Sequence, residues 1–300
     1  MADLKVTIAV IANVLCVVGI VVVNKYLASN DGFNFMVFLS FLNFAVTTIS
    51  MRVLLYTKSF TYAPAPLSSV MPVAITSLLS VAFMNLNLSF NSVGFYQLSK
   101  LACIPCTLFI QYVTRGDVVS RPMFICLLII TLGVGIATVY DVSINTIGLI
   151  FGTLAVLATT MAQINTNLYQ KRLDFNAMQM LHHTAPLITL GMLVMCPIFD
   201  DVNKLSQFQY TSGCIIRIIT SCILAVGVNI SNYLVLGKLG PLTYQVLGHL
   251  KTIVIIIIGF TFFYHPIDTR NLIGISVAFV GVVIYTELDR KQKAASALPK

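Results

Sequence analysis

The stretch that decides the fold is YQVLGHLKTIVIIIIGF, residues 244–260, an apolar run that carries one lysine, Lys251. A membrane-spanning helix needs about 20 predominantly apolar residues, so this run and its flanks predict a span. A charged side chain at the centre of such a helix costs about 2.5–3.5 kcal/mol on insertion scales. The sequence therefore predicts that Lys251 serves a function and that its charge has a partner.

The composition extends this prediction to the whole chain. Hydrophobic residues make up 58% of the chain, charged residues 9%, and the mean hydropathy is +0.92. A soluble domain carries about 25% charged residues. We therefore predict an all-α membrane protein of ten transmembrane helices joined by short loops. The ten predicted spans are residues 5–26, 34–56, 67–89, 92–114, 122–140, 146–170, 177–199, 213–236, 241–264 and 270–288.

The positively charged residues predict the orientation. Because the number of spans is even, both termini lie on the same side of the membrane. Twelve Lys and Arg residues lie on that side, and three lie on the opposite side: Lys25, Lys204 and Arg270. Because cytosolic loops carry the excess of positive charge, both termini and the tail 289–300 are predicted to be cytosolic. The net charge of +8 follows from this topology and does not indicate nucleic acid as a partner.

The chain contains an internal repeat. VGFYQLSKL at 93–101, in the fourth span, resembles PLTYQVLGHLK at 241–251, in the ninth, and Tyr96 and Tyr244 lie 148 residues apart. Further matches in the fifth and tenth spans share this offset, which is harder to obtain by accident than any single match.

The number of spans in each repeat predicts how the two halves are related. Each half holds five spans, an odd number, so the second half enters the membrane from the opposite side. Secondary transporters built from inverted repeats bind substrate near the midplane between the repeats. We predict a single transporter domain, 1–300, with repeats at about 5–140 and 146–288.

Two lysines fall inside these spans at related positions. Lys100 and Lys251 are 151 residues apart, three more than the repeat offset, and three residues are almost one helical turn. The ten acidic residues all lie in loops, tails or helix ends, so no carboxylate is available deep inside a span. The missing anion is most economically the substrate. Snorkelling to the interface remains the alternative for both lysines, and is the preferred interpretation for Arg217.

The same inventory of residues narrows the class of transporter. A buried Asp or Glu, usual in proton-coupled pumps and in carriers of cations, is absent, so proton coupling would rest on His183 or His249. Obligate exchange of anions fits better, because an empty cavity with two positive charges is costly to reorient. No metal, cofactor or enzymatic reaction is predicted. The C-x-x-C pair of Cys103 and Cys106 is interpreted as helix packing.

Polar and aromatic residues near the lysines complete the predicted substrate site. Tyrosines stack on a base, amides and hydroxyls bond to base and sugar edges, and phosphates prefer lysine and arginine. Besides Lys100 and Lys251, the candidates are Tyr96, Gln97, Tyr244, Gln245, Thr252, His249, His183, Thr184 and Asn232.

At NSVGFYQLSK (91–100), HTAP (183–186) and YQVLGHLKT (244–252) the chain resembles the nucleotide-sugar and triose-phosphate translocator family of the drug/metabolite transporter superfamily. The Lys251-Thr252 pair is similar to the signature of a subgroup that carries UDP-sugars. The resemblance implies an antiporter that brings a UDP-sugar into the Golgi or endoplasmic-reticulum lumen and returns UMP.

Departures from the family pattern refine this expectation. Triose-phosphate translocators carry a Lys-Arg pair where this chain has Lys251-Thr252, and loss of the arginine favours a diphosphate with a large organic body. GHLKT at 248–252 matches the Gly-Ala-Leu-Asn-Lys motif of GDP-mannose carriers only in part. An organelle exchanger of phosphorylated metabolites and a non-transporting membrane regulator remain as alternatives. Assembly into a homodimer is left open.

The charge count makes a prediction about topology. Single cysteines placed at the two ends of the chain and in the loop between Arg115 and Arg121 should react from the cytosolic side, and a cysteine at Lys204 from the lumenal side. Accessibility labelling in sealed vesicles measures this. A lumenal C-terminus would overturn the assignment.

Overall fold

The structure, a computed structural model, describes residues 2–91, 93–138, 146–262 and 269–296. These residues form eleven α-helices, and no β-strand occurs among them. The helices are α1 (Ala2–Ser29), α2 (Met36–Tyr56), α3 (Leu67–Phe90), α4 (Val93–Arg115), α5 (Arg121–Thr138), α6 (Thr146–Arg172), α7 (Ala177–Phe199), α8 (Val202–Gln207), α9 (Ser212–Leu239), α10 (Pro241–Phe262) and α11 (Thr269–Ser296).

Ten of the helices coincide with the ten predicted spans. The eleventh, α8, is a six-residue helix in the loop after α7, so the eighth, ninth and tenth predicted spans are α9, α10 and α11. Within the described ranges, seven helices are long and apolar enough to cross a membrane: α1, α2, α3, α6, α7, α9 and α11. In α5 the apolar run is shorter, Arg121–Ala137. The chain is a multi-pass membrane protein, and the crossing of α4, α5 and α10 stays a prediction.

The helices group into two compact units that are each discontinuous in sequence. The first unit contains Met1–Asn85 and Met161–Pro241, and the second contains Leu86–Thr160 and Leu242–Lys300. Each unit therefore combines helices from both halves of the chain. Helices α2 and α7 pack together in the first unit, and α5 and α11 in the second. Both pairs hold corresponding positions in the two predicted repeats.

Polar contacts fix α1 against α9 at three levels of the first unit. The Asn13 amide donates to the Ser231 hydroxyl at 2.7 Å, and the Ser221 hydroxyl donates to the Asn24 amide oxygen at 2.7 Å. Beyond the end of α1, the Asp31 carboxylate accepts two hydrogen bonds from the Arg217 guanidinium.

The Arg217–Asp31 pair changes the interpretation of Arg217. Snorkelling alone was expected from the sequence, but the guanidinium has a specific partner in the loop after α1. The hydrogen bonds from Arg217 lower the pKa of Asp31. The pair joins residues that are far apart in sequence, and residue spacing gave no indication of it.

Small residues bring α5 and α11 into close contact in the second unit. A Cβ atom added at Gly133 would lie 2.5 Å from the backbone nitrogen of Ala278, and one at Gly274 would lie 2.6 Å from that of Ala137. Buried apolar side chains such as Ile130 extend this contact into the core of the unit. Glycine is therefore required at both positions because backbone, not a movable side chain, occupies the space.

Substitution of these glycines should separate the two helices. We expect Gly133→Ala to destabilise the protein by about 1–3 kcal/mol, the usual cost of overpacking, measured as a lower melting temperature in detergent. Gly135→Ala is the matched control, because a Cβ there would meet only the Leu101 side chain at 3.5 Å. Equal melting temperatures for the two variants would contradict this packing.

Candidate substrate site

The predicted substrate residues fall into two groups, one in each compact unit. Eight belong to the second unit: Tyr96, Gln97 and Lys100 on α4, and Tyr244, Gln245, His249, Lys251 and Thr252 on α10. Three belong to the first unit: His183 and Thr184 on α7, and Asn232 on α9.

Lys100 and Lys251 each lie against a tyrosine of their own helix. The Lys100 Nζ atom is 4.3 Å from the ring centroid of Tyr96, and the Lys251 Nζ atom is 4.9 Å from that of Tyr244. Both distances are within the roughly 6 Å over which a ring face attracts a cation. The tyrosine precedes the lysine by one turn on α4 and by two turns on α10, so equivalent pairs form with different spacing.

The charges of these lysines are not neutralised by a carboxylate in the described part of the chain. The ion pairs found there join other residues, and neither Lys100 nor Lys251 takes part in one. The side chain of Lys251 is buried, with 6% of its surface exposed, whereas Lys100 is exposed. Lys100 lies within electrostatic range of both Lys251 and His249. The two ammonium groups of Lys100 and Lys251 together attract an anion.

Neighbouring polar groups on α10 are held in place by their surroundings. The buried Gln245 amide donates to the Thr107 hydroxyl of α4 at 2.6 Å, which ties the two lysine-bearing helices together. The Thr252 hydroxyl donates to the carbonyl oxygen of Gly248 at 3.2 Å within its own helix. His249 is buried, and its Nε2 atom has no hydrogen-bond partner among the described residues.

In the first unit, His183 lies beside a cavity of about 250 Å³ lined by Arg52, Tyr62 and His182 among other residues. Its Nε2 atom is 2.8 Å from the carbonyl oxygen of Ala63, and its ring stacks on Phe175 with a centroid distance of 5.8 Å. Sequence analysis did not identify Arg52 or Tyr62, because their proximity to the histidines depends on how α2 and the following loop pack against α7.

Thr184 and Asn232 make contacts within the first unit. The Thr184 hydroxyl is fully buried and lies 2.9 Å from the Tyr233 hydroxyl, besides bonding to the carbonyl of Met180. The Asn232 amide oxygen accepts a hydrogen bond of 2.8 Å from Asn13. Asn13 was also missed by the sequence analysis, although an asparagine within the apolar run of the first span was a visible signal.

The membrane helices and the paired lysines of α4 and α10 are features of a multi-pass membrane transporter. The chain belongs to the Triose-phosphate Transporter family, which it matches over residues 4–286. This confirms the family predicted from the sequence.

Several curated proteins of Arabidopsis thaliana are similar to the chain over most of its length. UDP-xylose transporter 3 is 40% identical over 94% of this chain and 81% of its own. UDP-xylose transporter 2 is 39% identical, over 94% of this chain and 82% of its own length. UDP-rhamnose/UDP-galactose transporter 1 is 34% identical, over 95% of this chain and 84% of its own length. A solved crystal structure with 10% identity shares the fold with a TM-score of 0.75, covering 95% of this chain and 99% of the other.

The site generates a prediction about Lys251. A charge-assisted hydrogen bond contributes about 1.5–3 kcal/mol, so Lys251→Ala should weaken binding of an anionic ligand by on the order of ten- to a hundredfold. The variant should also be as stable as the parent or more stable without ligand, because a buried, uncompensated charge has been removed. Melting temperatures with and without UDP-sugar measure both effects.

Two further variants separate this role from a general effect of charge. Lys251→Arg should recover only part of the ligand-induced stabilisation, because the guanidinium is larger and directs its donors differently. Lys291→Ala, at the exposed end of α11, should behave like the parent. A correctly inserted Lys251→Ala protein with the usual ligand shift would show that Lys251 does not bind the anion.

Proposed function

We propose that this chain is a nucleotide-sugar antiporter that carries a UDP-sugar into the Golgi lumen and returns UMP. The transporters of UDP-xylose and of UDP-rhamnose and UDP-galactose to which it is similar support a UDP-sugar as the substrate. The direction, the exchange with UMP and residence in the Golgi or endoplasmic-reticulum membrane belong to the proposal and rest on the Lys251-Thr252 resemblance.

The observation that supports the proposal most directly is the ammonium group of Lys251, which is buried and has no carboxylate partner among the described residues. A diphosphate supplies the negative charge that the described part of the second unit does not supply to this lysine. Lys100 adds a second positive charge within electrostatic range. The rings of Tyr96 and Tyr244 lie against these lysines and place aromatic surface beside the phosphate-binding groups.

Thr252 favours a UDP-sugar over a small phosphate ester. Its hydroxyl bonds to the Gly248 carbonyl, so this position contributes a small, satisfied polar group instead of a second cation next to Lys251. A compact, highly charged substrate would gain less from such a site than a nucleotide diphosphate with a base and a sugar. The organelle exchanger of triose-phosphate type is therefore the alternative that the experiment must exclude.

The exchange of UDP-sugar for UMP follows from the positive charges of Lys100 and Lys251. With the site empty, reorientation would enclose two unneutralised ammonium groups away from water, which is costly. With either UDP-sugar or UMP bound, phosphate charge offsets the lysines. The loaded transporter should therefore reorient far more readily than the empty one, which couples import of one ligand to export of the other.

Counter-transport into reconstituted vesicles tests the proposal. Proteoliposomes preloaded with UMP should accumulate labelled UDP-xylose or UDP-galactose, empty proteoliposomes should accumulate little, and a protonophore should not abolish uptake. The Lys251→Ala protein should lose this exchange while Lys291→Ala keeps it.

Three results would contradict the proposal. Triose-phosphate uptake driven by internal phosphate would identify the alternative exchanger. The absence of exchange of any nucleotide sugar would favour a non-transporting protein. Strong uptake into empty vesicles that follows a pH gradient would replace exchange by proton coupling and direct attention to His183 and His249.

A further inference from the structure

A second cavity of the first unit has a volume of about 720 Å³ and is lined in part by Phe175, the residue on which the His183 ring stacks. It lies where α2, α6 and α9 end and α7 begins. Its rim carries three exposed lysines, Lys58, Lys171 and Lys238. Its apolar wall is formed by Phe60, Phe175, Met178, Ile230 and Leu234. We call it the lysine-rimmed cavity.

The rim has an excess of positive charge. In the described ranges, none of the three lysines forms an ion pair, and Asp174 is the one acidic residue that lines the cavity. Lys171 and Lys238 occupy the last turns of α6 and α9, where a cation also interacts favourably with the helix dipole. That interaction accounts for two of the lysines but not for Lys58.

Lys58 occupies a backbone position that normally favours glycine. Its φ is +56°, in the left-handed region, and it follows the C-cap Thr57 of α2. The Lys58 nitrogen bonds to the Leu55 carbonyl and the Ser59 nitrogen to the Leu54 carbonyl, the pattern of a Schellman motif. A lysine at this position costs free energy that glycine would avoid. A backbone conformation of this kind in a non-glycine residue supports the hypothesis that the Lys58 side chain acts at the cavity rim.

The apolar wall extends well below the rim. From Lys238 to Ile230 is eight residues of one helix, which at 1.5 Å per residue is about 12 Å. Ile230, Leu234 and Lys238 are spaced four residues apart and so lie along one side of α9. The cavity thus offers cations at the end of the helix and an apolar surface that continues toward the middle of the span.

We propose that the lysine-rimmed cavity binds an anionic membrane phospholipid, with its phosphate at Lys58, Lys171 and Lys238 and an acyl chain along Ile230 and Leu234. Basic pockets between membrane helices bind anionic headgroups in this way. A soluble phosphate ester shares the headgroup chemistry, but it would use the rim and leave the apolar wall without a partner. All residues that line the cavity belong to the first unit, whereas Lys251 belongs to the second, and the proposal does not depend on the proposed substrate.

Three ligands distinguish an anionic phospholipid from a soluble phosphate ester as the molecule that binds in the cavity. The purified full-length protein is titrated in neutral detergent with dioctanoyl phosphatidic acid, with dioctanoyl phosphatidylcholine and with glycerol 3-phosphate, and its melting temperature is recorded. Phosphatidic acid should raise the melting temperature at the lowest concentration, and the other two should have little effect. An equal effect of glycerol 3-phosphate would overturn the lipid assignment, and no effect of phosphatidic acid would overturn the site.

Charge-removing variants test the location. A factor of about five in affinity is expected per lysine, equal to ~1 kcal/mol, so the triple change of Lys58, Lys171 and Lys238 to Gln should weaken the effect of phosphatidic acid on the order of a hundredfold. The control removes the same number of exposed positive charges elsewhere, with Arg115, Arg121 and Lys291 changed to Gln. Equal losses in the two triple variants would indicate general surface charge and overturn the site.

Lys58→Gly provides a second test that remains usable if the triple variant does not fold. Glycine relieves the left-handed backbone and removes the charge, so this variant should melt at a higher temperature than the parent without lipid. It should nevertheless need about fivefold more phosphatidic acid for the same stabilisation. A Lys58→Gly protein with an unchanged response to phosphatidic acid would contradict the role of Lys58.

Discussion

The bilayer imposes the constraint on which the rest of this structure depends: no water is available in its core to satisfy backbone polar groups, so a spanning segment must satisfy them internally. Helices do this, and the side chains that join them follow the same rule. The Asn167 amide donates to the Leu236 carbonyl at 2.6 Å, and the Gln170 amide to the Tyr233 carbonyl at 3.1 Å. Buried polar residues in this chain are therefore often structural ties, and burial alone does not mark a binding site.

Lys251 differs from these ties in the nature of its contacts. The amides of α6 meet backbone carbonyls, and Arg217 meets the Asp31 carboxylate, whereas Lys251 lies over an aromatic ring without an ion pair among the described residues. A ring face stabilises a cation only partly, by about 2 kcal/mol when desolvated. This incomplete compensation leaves the ammonium able to bind a transient anion and to release it, which a carrier requires and a permanent salt bridge would prevent.

Sequence analysis predicted those features that depend on local composition and on spacing along one helix. The positions of the ten long helices and the family follow from apolar runs and motifs, whereas the equivalence of Lys100 and Lys251 stays a prediction from a constant offset. The contacts that depend on which helices pack together could not be predicted. Arg217 and Asp31 are separated by 186 residues. The lysine-rimmed cavity is lined by residues of α6, α7 and α9 and of the segments after α2 and α6. The spacing of these residues along the chain does not indicate which of them come together. The short α8 was missed because a six-residue polar helix carries no apolar period.

The interleaving of the two compact units has a consequence for biosynthesis. The first unit needs Met161–Pro241 and the second needs Leu242–Lys300, so neither is complete when the first half of the chain leaves the ribosome. Until α9 is inserted, Asn13, Asn24 and Asp31 lack the side chains that they bond to in the finished fold. Before α9 is inserted, Asn13 in the apolar part of α1 therefore lacks the partner that it has in the finished fold. A chain that terminates between the halves would remain in that state, whatever the quality of its individual helices.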